Sequence, residues 1–148
     1  MAKNDLILSN INTWIDGFLI DTENDCAMEQ DLEISLGEMK RLTHCGTVEV
    51  LVRFVGDRKF AIIHGVKKSG KASALDSANN IVMVNSIIVA GIRQYPNGYE
   101  LRSLRKDEVA YLKDNLGLMY IHDDNGTGGT NAYCLKNVGT RSQTQVSE

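Results

Sequence analysis

The sequence predicts an α+β domain, mainly antiparallel β and sandwich- or barrel-like, with one helix in its C-terminal half and an extended basic loop. Three observations carry this. Apolar residues recur at period two, as in Val48-Glu49-Val50-Leu51-Val52-Arg53-Phe54. Turn residues punctuate such stretches at short intervals, at Gly56-Asp57 and at Pro96-Asn97-Gly98. At 43% hydrophobic over 148 residues the chain can bury the core of one domain, expected over 1–138, with a polar tail at 139–148.

The elements follow in order. Two apolar segments flank Asp16-Gly17, a strong hairpin signal because both central positions must accept positive φ. Asp31 to Leu36 alternates, placing Leu32, Ile34 and Leu36 on one strand face. A helix over 27–42 competes, since Met28, Leu32, Leu36 and Met39 share a helical stripe, but Gly37 and Ile34 weigh against it. Thr47–Phe54 and Lys59–His64 pair across Gly56-Asp57. Ile81 to Ile92 is almost continuously apolar and β-branched, as suits a central strand buried on both faces. Tyr95-Pro96-Asn97-Gly98 turns the chain into Tyr99–Arg102. Ser103 can cap the helix that follows, with Asp107 and Glu108 at its positive end and Lys113 in its last turn. Leu118–Ile121 and Ala132–Leu135 close the fold. From Gly139 onward, polar composition predicts a disordered tail.

Composition narrows the function. The chain has no apolar run of roughly 18 residues to span a membrane, so no membrane partner is expected. No basic segment precedes an apolar one at the start, so no secretory signal is expected either. Cys26, Cys45 and Cys134 are odd in number and widely spaced, and read as buried or half-buried thiols rather than a disulfide framework or zinc site. A nucleophile pair of Cys45 with His64 or His122 lacks any recognisable nucleophile turn around the thiol.

The net charge of −3 excludes a strongly basic nucleic-acid binder and conceals an asymmetry. Residues 1–38 hold nine acids against Lys3 alone, whereas residues 39–148 hold fifteen bases against ten acids. Charge runs are usually solvated faces. The sharper reading is a dipolar surface that meets a copy of itself head to tail. Its acidic face is expected at Asp21, Glu23, Asp25, Glu29, Asp31 and Glu33. Its basic arm is expected at Lys67, Lys68 and Lys71, with Arg58 and Lys59.

Gly65-Val66-Lys67-Lys68-Ser69-Gly70-Lys71-Ala72 matches a phosphate-cradling loop up to its last position, where Ala72 replaces the magnesium-binding hydroxyl. The mismatch argues against nucleotide hydrolysis and leaves weak contact with a nucleotide or nucleic-acid phosphate, or a Gly-hinged basic arm. Asp123-Asp124-Asn125-Gly126-Thr127 suggests calcium, but no bidentate Glu follows, so a flexible hairpin loop is the better account. The paired carboxylates lack a His or aromatic frame for acid–base work. Trp14, Phe18, Tyr95 and Tyr99 suggest a base-stacking platform, although a Trp between Ile11 and Ile15 reads better as core. No catalytic set is complete, and no enzyme, metal or cofactor is expected.

The stretch Ile11-Asn-Thr-Trp-Ile-Asp-Gly-Phe-Leu-Ile20, followed by Glu23 and Leu32, resembles the first hairpin of bacteriophage tail-tube proteins, a likeness confined to residues before Leu36. With the charge polarity, it implies a structural virion component: tail tube, head–tail connector or capsid decoration. Its partners would be copies of itself or other virion subunits, assembled in the bacterial cytoplasm. The alternative is a small phage or bacterial binding module that inhibits a host protein or clasps a phosphorylated ligand through residues 65–73.

Overall fold

The computed structural model describes residues 6–7, 11–67, 69–122 and 128–142. In chain order these form β1 (Trp14–Asp21), β2 (Cys26–Glu33), α1 (Leu36–Thr43), β3 (Val48–Val55), β4 (Arg58–Gly65), β5 (Ala72–Leu75) and β6 (Ile81–Val84). There follow β7 (Ile87–Tyr95), β8 (Gly98–Arg102), α2 (Lys106–Asp114), β9 (Leu116–His122), β10 (Gly129–Leu135) and β11 (Val138–Ser142). The fold is thus mostly antiparallel β with two short helices. One sheet runs β11-β3-β4-β7-β1-β2, with β8 paired to β7; the other runs β6-β5-β10-β9.

Alternation along the strands gives the large sheet two apolar faces. On one, Ile15, Leu19, Leu32, Val52, Ile63 and Ile88 pack beneath Met39 and Leu42 of α1. On the other, Phe18, Ile20, Phe60, Ile62 and Val89 pack with Ala74, Met83 and Leu135 of the small sheet and Leu112 of α2. Strand β7 lies between β4 and β1, and Ile87 to Ala90 are fully buried on both faces. The central buried strand expected within 81–92 is therefore present, but shorter. Asn85 takes a left-handed conformation (φ 67°) and divides the run into β6 and β7, which join different sheets.

The β3–β4 and β7–β8 hairpins and the β9–β10 pair form as the sequence predicts. Other expectations need correction. Asp16-Gly17 is not a turn but the middle of β1, which pairs along its full length with β2. The connection falls instead at Thr22–Asp25, where Asp25 is left-handed (φ 51°). The smallness of Gly17 serves packing: a Cβ there would stand 3.1 Å from the Val89 carbonyl oxygen and 3.3 Å from Ile88 Cγ2. Residues 27–42 are neither all strand nor all helix. The strand ends at Glu33, and Ser35 Oγ then accepts from Glu38 N to start α1.

The helix predicted after Ser103 begins later, with Arg105 as its cap residue. Ser103 is occupied elsewhere, its hydroxyl accepting from Asp16 N at 2.9 Å. Glu108 reaches back to accept from Arg105 N at 2.8 Å and supplies the capping bond. Residues 139–142, expected in a disordered tail, belong to β11 and pair with β3, anchored by fully buried Val138. Residues 143–148 lie outside the described residues.

Candidate functional site

The six acidic residues expected on one face divide into two groups. Asp21, Glu23 and Asp25 lie at and after the end of β1, around the turn into β2 rather than along a strand face. Asp21 is mostly buried and organises that turn: Oδ1 accepts from Glu23 N at 3.0 Å and Asn24 N at 3.2 Å, while Oδ2 accepts from Asn24 Nδ2 at 2.8 Å. Burial alone would raise its pKa. The donors from Asn24 and Glu23, with nearby His44, outweigh this and hold the carboxyl below its usual range. The residue is a turn anchor, turned inward rather than offered to a partner.

Glu29, Asp31 and Glu33 do share a strand face. Register places Glu33 opposite Trp14, Asp31 opposite Asp16 and Glu29 opposite Phe18. Two carboxylates therefore stand directly across from one another on β1 and β2, an arrangement that costs stability in an isolated sheet. The hydrogen bond between them, slight burial and the charges of Asp31 and Glu29 together raise the pKa of Asp16. Trp14, at the start of the row, is 62% exposed and not core as its apolar neighbours suggest. Phe18 and Tyr99 are buried, so the four aromatics form no common stacking platform.

The basic residues also separate. Arg58 and Lys59 begin β4, whereas Lys67 and Lys71 lie beyond its far end, roughly 25 Å away at strand rise. Lys68 is outside the described residues. The 65–72 segment is tied down at Asn85, whose N–H donates to Lys71 O at 2.7 Å and whose Nδ2 donates to Ser69 O at 3.0 Å. Lys71 Nζ lies 3.0 Å from Asp25 Oδ1, so an expected acidic residue and an expected basic one pair within the chain. Glu29 similarly meets Lys113 of α2 at 3.8 Å. After the loop comes strand β5, where a phosphate-cradling motif needs the N-terminus of a helix.

Cys45 and His64 lie on opposite faces of the large sheet. Cys45 covers Gly65, while His64, one residue earlier, turns to the other face, where Nε2 comes within 3.1 Å of Glu49 Oε1. Cys26 and Cys45 are half-buried, Cys134 is buried, and all three are free thiols. Among the described residues no three His, Cys, Asp or Glu side chains gather closely enough to hold a metal. The Asp123–Thr127 loop is outside the described residues.

The sequence reading missed a cleft of about 430 Å³ beside the start of α2, lined by Arg58, Lys59, Arg102 and Arg105 with only Asp107 and Glu108 of opposite sign. Arg58 pairs with Asp107 at 3.1 Å and stacks 4.6 Å above the Tyr111 ring. Its bases come from β4, β8 and the α2 cap, far apart in sequence, so no local motif announces it. No family model, curated protein or solved structure matches the chain.

Proposed function

We propose that the chain is a non-enzymatic structural protein of a self-assembling particle: a bacteriophage virion component of the tail tube, the head–tail connector or the capsid decoration. The observation that best supports this reading is the β2 edge of the large sheet. This eight-residue edge has no outward strand partner among the described residues. Its face is lined by Glu29, Asp31 and Glu33. Charge on an open edge discourages indiscriminate strand pairing and favours a partner of opposite sign. An exposed Trp14 at the end of the same row supplies the apolar area that ion pairs, at about 0–1 kcal/mol each, do not.

Light scattering over a series of salt concentrations tests the reading. Oligomers are expected at low salt and should lose mass as salt screens the charged faces. A monomer at every salt and protein concentration overturns it.

A further inference from the structure

We propose that the end of the large sheet bearing Trp14 is a two-fold interface, on which Asp16 and Asp31 of one copy meet Arg58 and Arg105 of a second copy. The inference rests on the self-assembly reading and assigns it a surface.

Register locates the patches relative to each other. Phe18 of β1 and Ile62 of β4 both pair with Val89 of β7. Trp14 and Arg58, each four residues earlier, therefore lie toward the same end of the sheet and alternate to the same face. The segment between the patches is fixed, because Asp16 N donates to Ser103 Oγ and Leu104 N donates to Asp16 O at 2.9 Å. Arg105 follows immediately. An acidic row with an exposed indole thus adjoins a cleft with four bases and two acids.

Two complementary patches side by side at one end fit an isologous contact. Rotation by 180° lays each acidic row on the other copy's cleft, and both contacts close together. The head-to-tail arrangement expected from sequence polarity would require patches on opposite ends. Two of the residues that sequence polarity selects for that role, Asp25 and Lys71, are paired with each other. The indole adds burial and a π-face to which an incoming guanidinium is attracted.

The chain has a single Trp, so the wild-type protein reports on this surface directly. Concentration is raised through the dimer transition while mass and Trp emission are followed together. Emission should shift to the blue and acrylamide quenching should fall as mass doubles. Doubling of mass with unchanged emission and quenching overturns the interface while leaving self-assembly intact. Absence of any mass change overturns both.

A charge swap gives a second arm. Asp31→Arg alone and Arg105→Asp alone each set like charges across both contacts and should weaken dimerisation about tenfold or more. The double variant should recover most of the loss. Folding of each variant is checked by circular dichroism. Should Arg105→Asp disturb the helix start, Arg58→Glu replaces it in the same scheme. Single variants that dimerise as well as the wild type overturn the proposal.

Discussion

Arg102 and Glu108 form a two-point ion pair, Nη1 to Oε1 at 2.8 Å and Nη2 to Oε2 at 3.0 Å, with side chains only 18% and 6% exposed. Glu108 also accepts from the Arg105 backbone, so one carboxylate fastens β8 to the start of α2. Removing one member strands the other's charge in a partly dry site. Glu108→Gln should therefore cost about 3 kcal/mol in urea unfolding, the lower end for a broken buried pair. The bonds from Arg102, acting against burial and aided by Arg105, hold the Glu108 pKa below its ordinary value. A carboxyl with a lowered folded pKa stabilises above the unfolded value and loses that contribution as pH falls through the folded one. The wild-type advantage over Glu108→Gln should be full at neutral pH and shrink through the acid range. An advantage independent of pH would show that the pair is not the cause.

Gly56 and Tyr111 carry a second prediction. Gly56 turns the β3–β4 hairpin at φ 62°, and a Cβ there would collide with Tyr111 Oη. That hydroxyl donates to Val55 O at 2.9 Å and accepts from Asp57 N at 3.1 Å, so α2 clasps the hairpin. Tyr111→Phe should cost about 1 kcal/mol through the lost bonds. Gly56→Ala should cost more than Tyr111→Phe, combining left-handed strain with the collision. The double variant distinguishes the two terms, since loss of the Tyr111 hydroxyl leaves room for the methyl. Additive losses would show that the collision is not felt.

Period-two alternation made β3 legible, and apolar segments bounded by turn residues did the same for β4, β8 and the β9–β10 pair. The errors arose where one residue type serves two purposes. Asp-Gly at 16–17 resembles a turn, yet Gly17 is there because β1 and β7 approach closely, a contact between residues about seventy positions apart. Ser103 resembles a cap, yet its hydroxyl serves β1. Trp14 alternates with Ile15 and Asp16, so its outward direction was readable, but Phe18 on the same face is buried because the small sheet and α2 reach only that far. The charge asymmetry was visible in composition, but its intramolecular pairs, Lys71 with Asp25 and Lys113 with Glu29, are not a property of composition.

Those pairs make a third prediction. Lys71 and Asp25 are each more than a third exposed, so Lys71→Ala should change stability by less than about 1 kcal/mol. Because Lys71 already has its partner, the substitution should leave the mass seen by light scattering unaltered. Equilibrium titration with a nucleotide should show no Lys71-dependent binding. Tight, Lys71-dependent binding to a monomer would overturn the structural-protein reading in favour of a ligand clasp.

The fourth prediction concerns Asp16 and Asp31 in protein dilute enough to be monomeric. Their opposition in register is a like-charge pair, so Asp31→Asn should stabilise the monomer by about 0.2–1 kcal/mol at neutral pH. The hydrogen bond to Asp31, then slight burial, then the charges of Asp31 and Glu29 raise the pKa of Asp16. A raised folded pKa favours folding while the proton is bound, and that contribution is lost as pH rises through it. The gain from Asp31→Asn should thus be small in acid and grow toward neutrality, opposite in sense to the loss from Glu108→Gln. In concentrated protein the same substitution removes one of the two carboxylates assigned to the contact, so dimerisation should weaken as monomer stability rises. Urea unfolding of dilute samples at several pH values, set beside the mass of concentrated ones, measures both effects. A variant that loses monomer stability would show that the pair is held by a cation or shared proton even at neutral pH. One that stabilises the monomer and leaves dimerisation untouched would place the contact elsewhere.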